Sequence, residues 1–202
     1  MTTMLDIKAH NVNELIDMVK QSILFDQFKR KSGGSCDYYV HGRRMVLDSG
    51  VLLACSNRML DLAIRLKVSH VGGEVASALP LVGSMITLAA MKGYALDGFF
   101  IREAVKDHGF SHMVEGELNN NSTVLLVDDV IGKGSVALRT SRLLRQQGVA
   151  VKGFCAIVDR CEGASELLQA EGLELFSLCT TDLLKEWIDH NILLKRKLLH
   201  AE

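Results

Sequence analysis

The chain has 202 residues, 48% of them hydrophobic, and carries 23 Lys and Arg against 24 Asp and Glu for a net charge of −1. That length fits one domain with a modest excursion, and the apolar content is ample for a core. The balanced charge gives no electrostatic case for a nucleic-acid partner or an anionic membrane surface.

The opening MTTMLDIKAHNVNELIDMV has no basic start followed by an apolar run, so no secretory signal is expected. No apolar stretch reaches about 18 residues, so no membrane span is expected and the chain reads as cytoplasmic. NVNELIDMVKQSILF places Val12, Leu15, Ile16, Val19 and Ile23 on one helical face. DSGVLLACSNRMLDLAIRLK is a second helix, with Asp48 or Ser49 as its cap. VSHVGG is a short strand ending in glycines, ASALPLVGSMITLAAMKG a mostly apolar helix closed by Gly93, and LDGFFIR a strand. The polar segment EAVKDHGFSHMVEGELNNNS shows no convincing period, as expected of a lid or a disordered stretch. TVLLVDD is an apolar strand, SVALRTSRLLRQQG a helix and VKGFCAIVD another apolar strand. GASELLQAEG is a helix, LELFSLCT a strand, and two short helices near TDLLKEWIDH and LLKRKLLH close the chain. The five cysteines (Cys36, Cys55, Cys155, Cys161 and Cys179) include no CxxC pair, and most lie in apolar runs. They read as reduced core thiols. His41, His70 and His112 read as structural.

Strands that alternate with helices and run continuously apolar predict an α/β fold, a mostly parallel sheet flanked by helices. Ligands of such sheets bind beyond the strand C-termini, at a switch in strand order. Those ends carry charge here: Arg102, Lys106 and His108 after LDGFFI, Asp128 and Asp129 after TVLLV, and Asp159 and Arg160 after GFCAIV.

The stretch VLLVDDVIGKGSVAL, residues 124–138, admits two readings. Taken as a strand running into G-x-G-x-x-A, it is a dinucleotide fingerprint, with Asp159 as the acid ending the next strand. Taken as a strand ending at the acid pair, its Gly132 to Ser135 loop cradles one phosphate at a helix start, and the carboxylates face a sugar. A Walker A loop is excluded, because Lys133 is followed by Gly134 and the position five before Gly132 is Val127. Two carboxylates next to a pyrophosphate would repel it by about 4 kcal/mol at a separation of about 4 Å and an effective dielectric of about 20.

VLLVDDVIGKGS resembles the phosphoribosyl pyrophosphate (PRPP) signature of type I phosphoribosyltransferases. Four further segments resemble the orotate phosphoribosyltransferases: FKRKSGGSCDYYV their F-x-x-K-S-G…Y-Y segment, GGEVASALPL their pyrophosphate loop, FFIREAVKDHG…VEG their lid, and VDRCEGASELLQAEGLELFSLCT their D-R-x-x-G tail. Together the segments span roughly residues 12–185 in the family's order.

The resemblance implies transfer of ribose 5-phosphate from PRPP to orotate, giving orotidine 5′-monophosphate and pyrophosphate in pyrimidine biosynthesis. It implies catalytic roles for Lys106, Asp128 and Asp129, with the acid pair on the ribose hydroxyls. The 5-phosphate would lie on Gly132, Lys133, Gly134, Ser135 and Val136, with Val130 and Ile131 leading into that loop. Ala76 and Ser77 would line the pyrophosphate loop, and Arg102, Lys106 and His108 would close over pyrophosphate from the partner subunit of a homodimer. Lys31 would lie near both pyrophosphate and base. Orotate would meet the backbone of Tyr39 and Val40, the loop at Gly132, and Arg160, whose planar fork suits a carboxylate. Magnesium would be held mainly by the substrate's own oxygens, with no protein ligand cluster. The implied organisation is an N-terminal helix and hood segment over 1–45, a core domain over 46–190 with a mobile lid, and a helical tail over 191–202.

Three positions depart from the family pattern. Glu103 stands where the family has a lysine, Gly132 where it has a threonine, and Cys36 where it has a serine. A lost hydroxyl at 132 costs about 1–3 kcal/mol where it leaves a buried partner unpaired; Lys133 offers a compensating cation. The competing readings are a phosphoribosyltransferase for a different base, a PRPP-binding regulator without turnover, and the dinucleotide-binding oxidoreductase.

Overall fold

The computed structural model describes residues 3–4, 12–29, 34–102 and 114–199. In chain order the elements are β1 (Thr3–Met4), α1 (Val12–Lys20), β2 (Ile23–Lys29), β3 (Ser35–Val40), α2 (Gly42–Leu47), α3 (Ser49–Arg65), β4 (His70–Glu74) and α4 (Ala78–Met91). There follow β5 (Asp97–Ile101), β6 (Val114–Glu115), β7 (Thr123–Ile131), α5 (Ser135–Gln146), β8 (Ala150–Asp159), α6 (Ala164–Gln169), β9 (Leu175–Thr180) and α7 (Lys185–Leu199).

Seven strands form one sheet in the order β1-β9-β8-β7-β4-β5-β6, parallel throughout except for the β5–β6 pair. The apolar runs are buried on both faces, as their continuity predicts. Along β7, Leu125 and Val127 join the core beneath α3 and α4, while Val124 and Leu126 join the core beneath α5 and α6. Each fully buried Leu or Val of this kind stabilises the fold by about 1.5–3 kcal/mol. Asp48 caps α3 as expected, its Oδ1 accepting from the Gly50 and Val51 N–H groups at 3.0 Å, a contact worth about 1 kcal/mol.

Four local expectations need correction. The first helix ends at Lys20, and Ile23 opens β2, which pairs antiparallel with β3 as a separate two-stranded hood. Ile23 still reaches the same core as Leu15 and Val19, so its helical spacing reports shared burial rather than one helix. The strand expected to stop at the acid pair runs on to Ile131, because pairing with β8 continues to Ile131↔Asp159. The short helix α2 is additional. The two closing helices are one, α7, which packs on the hood through an edge-on contact of Trp187 with Phe25 (5.3 Å) and an Arg196–Asp37 ion pair (2.8 Å).

Candidate active site

The chain leaves β4 through α4 toward β5, and leaves the neighbouring β7 through α5 toward β8. Helices α4 and α5 pack on opposite faces of the sheet. A crevice therefore opens where β4 and β7 end, the usual ligand position in such sheets. A cleft of about 690 Å³ lies there. Its walls come from the β4–α4 turn (Glu74, Val75, Ser77), the end of β7 and its loop (Asp128, Val130 to Ala137), the tail after β8 (Arg160, Glu162) and the hood (Phe28, Lys29, Cys36, Tyr39).

Asp128 lies at the base of this cleft. Its Oδ1 accepts from the Ser77 hydroxyl at 2.5 Å and from the Asp129 N–H at 2.8 Å. Burial and the adjacent Asp129 charge nevertheless push its carboxyl up to about 7. Asp129 turns toward α2. It is 9% exposed, and its Oδ1 accepts from the Val130 N–H at 2.7 Å. Burial raises its carboxyl too, against the pull of the Val130 N–H and the Arg43 charge. Gly42 makes this position possible, because a Cβ there would overlap the Asp129 carboxylate and lie 2.9 Å from Val130 Cγ2.

The loop Gly132–Gly134 joins β7 to α5, and Gly134 takes a left-handed conformation (φ 77°) that favours glycine. Its backbone opens the N-terminus of a 12-residue helix, a suitable seat for an anion. Across it lies Arg160, ion-paired through Nη2 to Glu162 Oε2 at 3.0 Å. Arg160 Nε is buried and has no hydrogen-bond partner among the described residues. On the hood, Tyr39 stacks tilted against Phe28 (5.6 Å) and meets His41 edge-on (5.8 Å), so the cleft has an aromatic wall.

The structure brings Ser77, Asp128, Val130, Ile131, Gly132, Lys133, Gly134, Ser135, Val136, Tyr39 and Arg160 to one cleft. Ala76 adjoins it in the β4–α4 turn, after a cis Val75–Ala76 peptide. Val40 is a buried core residue and does not line the cleft. Arg102, at the end of β5, pairs with Glu115 of β6 at 2.7 Å. Lys31, Glu103, Lys106 and His108 lie outside the described residues. His41 caps α2 by accepting from the Arg44 N–H, and buried His70 bonds Ser69 and the Glu117 carbonyl, so both are structural. Among the described residues, no group of three or more His, Cys, Asp or Glu could hold a metal ion.

Sequence reasoning passed over Phe28, Lys29, Cys36, Glu74 and Glu162 as cleft residues. All five sit inside segments that carry the family resemblance, FKRKSGGSCDYYV, GGEVASALPL and VDRCEG, so the signal was present. Glu74 is held by Arg139 (2.7 Å) and Thr140 (3.1 Å), which tie the end of β4 to α5.

The dinucleotide reading fails on this geometry. Asp159 is 1% exposed and spends its Oδ1 on the Cys161 N–H at 2.9 Å, so it presents no acid to a ribose.

A parallel sheet with an acid and a glycine loop meeting at its switch point has the form of a type I phosphoribosyltransferase. No protein-family model matches the chain. Curated relatives do: an orotate phosphoribosyltransferase from Streptomyces avermitilis is 34% identical over 157 residues, covering 77% of this chain and 86% of that protein. Among solved structures, the Mycobacterium tuberculosis orotate phosphoribosyltransferase in complex with Fe(III) dicitrate superposes with a TM-score of 0.73 at 30% identity, covering 86% of this chain and 98% of the other. The same enzyme in complex with PRPP superposes with a TM-score of 0.70 at 27% identity, over the same shares of both chains. The chain belongs to the orotate phosphoribosyltransferase family.

Proposed function

We propose that this chain transfers ribose 5-phosphate from PRPP to orotate, releasing pyrophosphate and forming orotidine 5′-monophosphate for pyrimidine biosynthesis. The observation that carries this reading is one cleft in which a half-buried carboxylate, Asp128, faces a glycine loop at a helix start and a guanidinium, Arg160.

Departure of pyrophosphate builds positive charge on the ribose ring and negative charge on the leaving group. The Asp128 carboxylate opposes the first charge where it forms. Ser77 and the Asp129 N–H fix its Oδ1, so it need not reorganise during the reaction. Asp129, whose carboxylate turns toward α2 and away from the cleft, must swing inward to share the ribose hydroxyls with Asp128. The loop from Val130 to Val136 holds the 5-phosphate with backbone N–H groups, and Lys133, exposed at the cleft, adds a cation. Ala76 and Ser77 line the pyrophosphate seat. Lys31, Arg102, Lys106 and His108 supply positive charge to the leaving group, the last three from a lid closing across a homodimer. Arg102 must leave Glu115 to do so. Orotate stacks on the aromatic wall, meets the backbone of Tyr39 and Val40, and places its carboxylate against Arg160.

The oxygen donors at the cleft floor, the Asp128 carboxylate and the Ser77 hydroxyl, suit a hard divalent cation that brings most of its ligands with the substrate. Magnesium bound there with the diphosphate would supply positive charge opposite the leaving group. No helix of the described residues is long and apolar enough to cross a membrane, which accords with a cytoplasmic setting. The hood and first helix (1–45), the core (46–190) and the tail (191–202) divide base recognition from sugar-phosphate binding.

The test is loss of orotate absorbance on mixing the protein with PRPP and magnesium, with Lys106→Ala as control. Turnover in the parent that collapses in the variant supports the transferase. Absence of turnover in folded protein that still binds PRPP refutes it in favour of another base or a sensor.

A further inference from the structure

The two phosphate seats proposed above lie on neighbouring strands whose pairing stops short of both. β4 and β7 pair as far as Gly72↔Leu126, although β4 runs to Glu74 and β7 to Ile131. Past that point β4 stays with β5, through Glu74↔Ile101 and a 3.0 Å bond from the Val75 N–H to the Ile101 carbonyl. β7 stays with β8 as far as Ile131↔Asp159. The ladder therefore does not set the distance from the β4–α4 turn, with Ala76 and Ser77, to the Gly132–Ser135 loop. Glu74 crosses that gap. Its Oε1 accepts from Arg139 Nη2 at 2.7 Å and from the Thr140 hydroxyl at 3.1 Å. Both donors sit about one turn into α5, the helix that the glycine loop opens. Arg139 is exposed, and an exposed ion pair contributes little alone. Thr140 is buried, so the second bond is shielded from water. Behind the tie, α5 and the end of β5 border a cavity of about 490 Å³ lined by Ile101, Leu138, Leu143 and Leu167. Packing among the described residues does not fill that side, so the spacing there falls to the tie.

We propose that Glu74 is a positioning residue for PRPP: by tying the pyrophosphate seat to the helix that carries the 5-phosphate seat, it sets the separation at which both ends of one substrate are held together. The inference rests on the transferase reading above and adds to it where the two-ended fit is built. PRPP presents two anionic groups on one ribose. With both seats at the right separation, binding at one makes binding at the other effectively intramolecular. A ligand that uses one seat gains nothing from the spacing. Pyrophosphate is such a ligand for the turn, and orotidine 5′-monophosphate for the loop. Glu74 also lines the cleft, so its own charge opposes an anion there. A fall in PRPP affinity on removing it therefore reports the tie and not the charge.

The experiment measures binding of PRPP, pyrophosphate and orotidine 5′-monophosphate to the full chain by calorimetry, with magnesium present. Glu74→Ala should lower affinity for PRPP by at least about tenfold while the other two stay within about threefold, because the two-ended ligand alone loses its effective concentration. Glu74→Gln keeps the Oε1 acceptor and removes a negative charge from an anion-binding cleft, so it should bind PRPP at least as tightly as the parent. Arg139→Ala should lower PRPP affinity in the same selective way, and adding it to Glu74→Ala should cost nothing further. Arg139 is exposed, so its variant keeps the test open should Glu74→Ala not fold. Four results would overturn the inference: Glu74→Ala or Arg139→Ala binding PRPP as tightly as the parent, affinities for all three ligands falling together, Glu74→Gln losing as much as Glu74→Ala, or a parent that does not bind PRPP. Failure of the orotate reading is seen separately, as a parent that binds PRPP without turning over orotate.

Discussion

Replacing Asp128 by asparagine should stabilise the ligand-free protein at alkaline pH while abolishing turnover. Its carboxyl is pushed from 3.8 up to about 7 by burial and by the Asp129 charge. A group that holds its proton more tightly when folded contributes stability that is complete below its unfolded value and is lost as pH rises through its folded value. Ionisation of Asp128 therefore opposes folding by at most about 4 kcal/mol at about pH 8, of which about 3 kcal/mol develops between about pH 5 and pH 8. Asparagine keeps the Oδ1 acceptor used by Ser77 and the Asp129 N–H, so the variant removes charge without removing those bonds. Urea unfolding followed by circular dichroism at both pH values gives the comparison. With a slope of about 1–3 kcal/mol per molar urea, the midpoint of the parent should fall between the two pH values by on the order of 1 M more than that of the variant. Parallel pH dependence in parent and variant would refute the reasoning.

The same raised carboxyl should appear in the kinetics: kcat/KM for PRPP should rise with pH and level off above about 7, as Asp128 ionises in the free enzyme; a flat profile from pH ~5.5 to ~8.5 would count against its role. Gly42→Ala should cost about 1–3 kcal/mol by overpacking and lower kcat by displacing Asp129, since a Cβ there overlaps its carboxylate. Gly83→Ala, at an exposed position of α4 with nothing within 4 Å of a Cβ, should be neutral or stabilising by up to about 1 kcal/mol, as thermal melts will show. Trp187→Ala, which removes the Phe25 contact and the ring beneath Lys20, should cost about 2 kcal/mol and raise KM for orotate more than KM for PRPP, because it loosens the hood.

The sheet was legible because its strands are unmixed apolar runs that leave no doubt about burial on both faces. The acid pair was legible as chemistry but misplaced as structure. Asp128 and Asp129 look like the residues after a strand, whereas ladder pairing with β8 carries the strand past them to Ile131. Local pattern could not separate α1 from β2 for a related reason. Ile23 faces the same core as Val19, and only the long-range partner Val40 reveals the hood. The tie from Glu74 to Arg139 was invisible, since it depends on two elements lying side by side whose paired residues are 65 positions apart in sequence.

The most direct test of the account is a competition for the base. PRPP and magnesium are incubated with the protein and equal amounts of orotate, uracil, adenine and hypoxanthine, and the nucleotides formed are identified by mass spectrometry. The account predicts orotidine 5′-monophosphate alone, with one pyrophosphate released per nucleotide. A different nucleotide, or none from folded protein, would contradict it.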